Sequence, residues 1–96
     1  MTASVCTGAF LLAKAGLLHG KTVTTHWDDL DDLHAQFPDL TVRGDTRWID
    51  EGTIVTSAGI SAGIDMSLHL VARLAGEELG VRTARQMDYA WHRAPA

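Results

Sequence analysis

The stretch Ser4-Val5-Cys6-Thr7-Gly8-Ala9-Phe10 sets the strongest limit on what this chain can fold into. Met1 to Val5 reads as the end of a short strand. Ala9 to Leu18 carries Phe10, Leu11, Ala13, Leu17 and Leu18 at helical spacing, with Gly16 and Gly20 bracketing its end. Only Cys6, Thr7 and Gly8 remain to turn the backbone through a strand-to-helix corner, and Gly8 lets it bend tightly. Such a corner sets one side chain beside the first free N–H groups of the helix. Here that side chain is a thiol, in the setting where cysteine nucleophiles are found. The competing role is a small buried hydrophobe, which is what a lone cysteine most often is.

Along the rest of the chain, β-branched Lys21 to Thr25 predicts a short strand. Asp28, Asp29, Asp31 and Asp32 then precede or intersperse Leu30, Leu33 and Phe37, a helix with a solvated acidic start that Pro38 stops. Leu40 to Arg43 predicts another strand, and Arg47 to Asp50 with Thr53 to Ser57 flank a hairpin turn at Asp50-Glu51-Gly52. Small residues from Ala58 to Gly63 enter the longest helix, where Ile64, Leu68, Val71, Ala72 and Ala75 recur until Gly76. A last helix is expected over about Val81 to Ala90. This order predicts an α/β domain with a mostly parallel sheet. The 96 residues form one domain, with too few strands for a complete doubly wound sheet. The expectation is therefore the C-terminal half of such a sheet, truncated at its N-terminal side. Its open edge predicts a homo-oligomer or association with an N-terminal half.

Composition excludes several classes. A net charge of −4 gives a nucleic-acid surface no support. Lys14, His19 and Lys21 interrupt the best apolar run, so no membrane span is expected, and the N-terminus lacks the pattern of a signal peptide. A cytoplasmic location follows as the default. The single cysteine excludes an internal disulfide and a multi-cysteine zinc site. No histidine or carboxylate pair has metal-ligand spacing; His26 and His34 lie too far apart to chelate. Trp27, Trp48 and Trp91 read as core or interface anchors, and Met66 and Met87 as core residues. His19, His34, His69 and His92 read as surface or packing residues.

Ser4 to Leu12, Thr24-Thr25-His26-Trp27 and Thr56 to Met66 together closely resemble the ThiJ/PfpI superfamily, which shares the class I glutamine-amidotransferase-like, flavodoxin-type fold. They look most like the branch containing isonitrile hydratase and the sensor-like domains of some AraC-type regulators. The resemblance covers about Ser4 to Tyr89. It implies that Cys6 is the corner nucleophile or redox-reactive centre. It also implies that Thr7 faces the substrate through its N–H and hydroxyl, and that His26 is a general base or charge partner. The competing role for His26 is a cap on the helix that follows. Gly59 and Gly63 are expected to bring backbone close to the corner, with Gly59 and Ile60 weaker candidates for substrate contact. Asp65 is expected to favour a helix first turn. The acidic active-site residue of the family has no counterpart by motif matching.

The resemblance implies a cysteine-dependent enzyme of the isonitrile hydratase type, adding water across a carbon–nitrogen multiple bond of a small molecule without a cofactor. Glyoxalase-, amidase- or protease-like chemistry is the related alternative. A non-catalytic ligand-sensing domain, of the kind attached to AraC-type regulators, is the alternative from another class, and an inactive remnant is a third.

Overall fold

The computed structural model describes residues 1–95. Its elements are β1 (Thr2–Ser4), α1 (Gly8–Lys14), β2 (Thr22–Val23), α2 (Leu30–Gln36), β3 (Thr41–Val42), β4 (Trp48–Asp50), β5 (Ile54–Ser57), α3 (Ile60–Ala75) and α4 (Glu77–Gln86). One turn of 3-10 helix at Trp27–Asp29 leads into α2. β1 pairs with β5 in parallel, Thr2 opposite Ile54 and Ser4 opposite Thr56. β4 returns antiparallel on the other side of β5, as the Asp50-Glu51-Gly52 turn predicts, so the sheet order is β1-β5-β4. β2 and β3 form a separate parallel ladder joined through α2, the crossover that parallel pairing requires. Thr24 ties this ladder to the sheet: its N–H donates to Thr56 Oγ1 at 3.0 Å and its hydroxyl to the Arg43 carbonyl at 2.8 Å.

The expected α/β class with parallel pairing is what forms. β5, buried along its whole length, is the centre of its sheet. One core cluster gathers Ala9, Leu18, Val23, Leu33, Leu40 and Ile54; a second joins Trp48, Val55 and Met66. Leu18 and Leu33 are fully buried, each contributing about 2 kcal/mol of apolar transfer free energy. β1 and the start of α3 meet where Gly63 faces Val5. A Cβ on Gly63 would lie 2.5 Å from Val5 Cγ1, so the glycine allows the helix backbone to close on the corner.

Several elements differ from expectation. α1 stops at Lys14 instead of Leu18, because Gly16 at φ +79° and Gly20 at φ +70° take the chain into the left-handed region. The last helix starts at Glu77 instead of Val81: Gly76 at φ +105° ends α3, and Glu77 and Glu78 then suit the new helix's positive end. It ends at Gln86, and Asp88 follows at φ +54°. Trp27, read as an anchor, is 72% exposed on the 3-10 turn, and Met87 lies half exposed after α4. Among the described residues, no helix is long and apolar enough to cross a membrane.

Candidate functional site at the strand-to-helix corner

Cys6 has φ +55°, a conformation that costs a residue with a Cβ about 1–2 kcal/mol. The surroundings hold it there from both sides of the peptide. The Cys6 N–H donates to the Ala58 carbonyl at 3.1 Å, and its own carbonyl accepts from Thr25 Oγ1 at 2.7 Å. The Gly8 N–H donates to the Val5 carbonyl at 3.0 Å and closes the turn. Thr25 is fully buried, so its hydroxyl needs the Cys6 carbonyl as much as the corner needs the hydroxyl. The thiol itself is free and half-buried. Thr7 is the N-cap of α1, yet its hydroxyl makes no capping bond and lies exposed.

His26 follows Thr25 directly and caps the 3-10 turn. Its Nδ1 accepts from the Asp28 N–H at 3.2 Å, and Asp29 Oδ2 lies farther off at 3.7 Å. An Nδ1 that accepts carries no proton, so the neutral ring bears its N–H on Nε2. The expected cap is therefore present, and it leaves Nε2 unoccupied by that role. A Cβ on Gly59 would meet His26 Cδ2 at 3.5 Å and Nε2 at 3.9 Å, so this glycine faces the imidazole edge. The segments expected to act together thus converge. Cys6 is hydrogen-bonded to Thr25 and Ala58, and the residues that follow those two, His26 and Gly59, face each other. No hydrogen bond joins the Cys6 thiol to His26 among the described residues.

A cleft of about 610 Å³ opens beside this ring, lined by His26, Trp27, Arg47, Gly59, Ile60 and Ser61 among others. Cys6 and Thr7 are outside its lining, but Ala58, the carbonyl that holds the Cys6 N–H, is part of it. Ile60, the first residue of α3, is 78% exposed there.

Residues 1–73 match the DJ-1/PfpI family. The chain belongs to that family. It is 41% identical over 80 residues to the HTH-type transcriptional regulator CdhR of Pseudomonas aeruginosa, covering 83% of this chain and 24% of the regulator. It is 40% identical over 88 residues to isonitrile hydratase of Pseudomonas putida, covering 91% of this chain and 37% of that enzyme. Its fold superposes on the crystal structure of a ThiJ/PfpI family protein from Pseudomonas syringae with a TM-score of 0.80 at 33% identity, over 92% of this chain and 35% of that one. The fold is thus the flavodoxin-like one that the resemblance implied, and the chain spans well under half the length of these relatives.

Within this DJ-1/PfpI domain, one polar pair at the cleft escaped the sequence reading. Asp65, expected in a helix first turn, is the sixth residue of α3 and fully buried. Its Oδ2 accepts from Arg47 Nε at 2.9 Å and Nη2 at 2.5 Å, and its Oδ1 accepts from the His92 N–H at 2.7 Å. The signal was present: an acid on the helix face that also carries Ala62, Met66 and Leu68 is buried, and a buried carboxylate has a partner. Nearby, the Tyr89 hydroxyl donates to the Ser61 carbonyl at 3.0 Å. Burial, then the Asp65 carboxylate, raises the Tyr89 phenol above its usual value.

A second polar group clips β4 to α3. Asp50 Oδ2 lies 2.8 Å from His69 Nε2, Arg73 Nη1 is 3.0 Å from both carboxylate oxygens, and the Gly52 N–H donates to Oδ1 at 2.8 Å. His69 stacks on Trp48 with ring centroids 3.9 Å apart, the packing role expected of it. Burial opposes the Asp50 charge, but the hydrogen bonds from His69 and Gly52 and the charges of Arg73 and His69 outweigh it. The carboxyl is held below its usual range. Among the described residues, no cluster of histidine, cysteine and acidic side chains has the makings of a metal site.

Proposed function

We propose that Cys6 is the nucleophile of a cysteine-dependent hydratase acting on the carbon–nitrogen multiple bond of a small molecule, an isonitrile first among them. The observation that carries this reading is the left-handed Cys6, held at the corner of a family member 40% identical to an isonitrile hydratase over 88 residues. Strain of this kind persists where surrounding structure over-determines it, and it concentrates at functional sites. The Cys6 sulfur adds to the isonitrile carbon, which takes up a proton, giving a thioimidate. Water then adds to that carbon, the carbon–sulfur bond breaks, and an N-substituted formamide leaves with the thiol restored. His26, with its proton on Nε2, is the proton carrier in this scheme, and the exposed Thr7 hydroxyl and N–H hold the intermediate.

The similarity to a transcriptional regulator, and the use of His26 Nδ1 as a cap, favour a second reading: a domain that binds the small molecule without turning it over. Incubation with cyclohexyl isonitrile and chromatographic detection of the formamide separates the two. Hydration predicts formamide from the wild-type chain and a loss of at least ~10³-fold in Cys6→Ser. Binding without any formamide moves the protein to the sensor reading.

A further inference from the structure

Among the described residues, Arg47 is the only permanently charged side chain lining the cleft, and no aspartate or glutamate lines it. That one charge is already met by Asp65, fully buried behind it at 2.5 Å. His26 Nδ1 is taken up by the Asp28 N–H, so that ring turns only its other edge to the cleft. An anion entering the cleft therefore finds no unmatched guanidinium or ammonium, and a cation finds no carboxylate, while either gives up its hydration. What the cleft does offer is uncovered apolar surface on Trp27 and Ile60, 72% and 78% exposed. It also offers donors: Nε and Nη2 of Arg47 point to Asp65 and Ser61, whereas Nη1 has no partner among the described residues.

We propose that this cleft binds an uncharged molecule with a flat aromatic or branched aliphatic body and one hydrogen-bond acceptor. The body covers Trp27 and Ile60, and the acceptor takes an N–H of Arg47. Trp27 and Ile60 are then specificity-determining residues. The inference rests on the hydratase reading only for which bond of the bound molecule reacts. Its volume, about 610 Å³, lies within the range of small-molecule pockets.

The test compares dissociation constants of 2-acetylnaphthalene and 2-naphthoate by saturation-transfer NMR, since they share one body and differ in charge. The neutral ketone should bind at least tenfold tighter. Trp27→Ala should weaken it about tenfold, from the loss of an aromatic contact, and Ile60→Lys should shift the preference toward naphthoate. Both side chains are mostly exposed, so these substitutions leave the core intact. Naphthoate binding as tightly as the ketone, neither probe binding at millimolar concentration, or Trp27→Ala without effect overturns the inference. Absence of formamide with ketone binding and its Trp27 dependence retained sinks the hydratase reading alone. Formamide production with charge-blind probe binding sinks the cleft inference alone.

Discussion

The corner around Cys6 and the anchor around Asp65 sit a short way apart and are built on opposite plans. At Cys6 the backbone is pinned at both its N–H and its carbonyl, in a costly conformation, and the side chain is left free. At Asp65 the carboxylate is saturated: Arg47 occupies one oxygen, the His92 N–H the other, and no part of the residue reaches solvent. A side chain kept free on a constrained backbone is available for chemistry, whereas a saturated one is spent on holding elements together. His26 combines both plans, with Nδ1 used as a cap and Nε2 left over.

Perturbing each region separates the plans. The largest effect is expected for Asp65→Ala, which strands the Arg47 guanidinium and the His92 N–H. It should cost about 3–5 kcal/mol in urea unfolding, and equal stability to wild type would remove the anchor from the account. Gly63→Ala pushes a methyl to 2.5 Å from Val5 Cγ1 and should cost about 1–3 kcal/mol; an unchanged unfolding midpoint would mean the corner gives way freely. Cys6→Gly should go the other way, gaining about 1 kcal/mol by relieving the left-handed strain while abolishing thiol chemistry. Destabilisation there would show that the thiol, like Asp65, is a packing group.

The smallest effect concerns Asp50. Its folded carboxyl lies below the ordinary value of 3.8, so the stability it adds is fully present above that value. That contribution disappears as pH falls through the depressed folded one. Urea midpoints measured from pH 6 to pH 2 should therefore fall less steeply in Asp50→Asn than in wild type, by under ~1 kcal/mol over the range. Parallel curves would contradict it.

What the sequence made legible was local. The corner, the hairpin at Asp50-Glu51-Gly52 and the break at Gly76 each depend on residues a few positions apart, where small side chains and turn formers act directly on the backbone. The Arg47–Asp65 pair spans 18 positions and exists only once α3 lies against β4, so no spacing rule announces it. Trp27 misled because residue type suggests burial, whereas its place on a 3-10 turn directs it outward. The start of α4 carries no apolar stripe, because Glu77 and Glu78 occupy its first turn. The family motifs single out Cys6, Thr7 and His26, with Gly59 and Ile60 beside them, because each motif is a run of adjacent residues.

The most direct test is the rate at which iodoacetamide alkylates Cys6 at pH 7 in the folded chain, relative to the same chain unfolded in urea. A thiol left free on a pinned corner should react about as fast folded as unfolded, and Gly63→Ala should change that ratio. A folded rate well below the unfolded one would contradict the account and make Cys6 a buried packing residue.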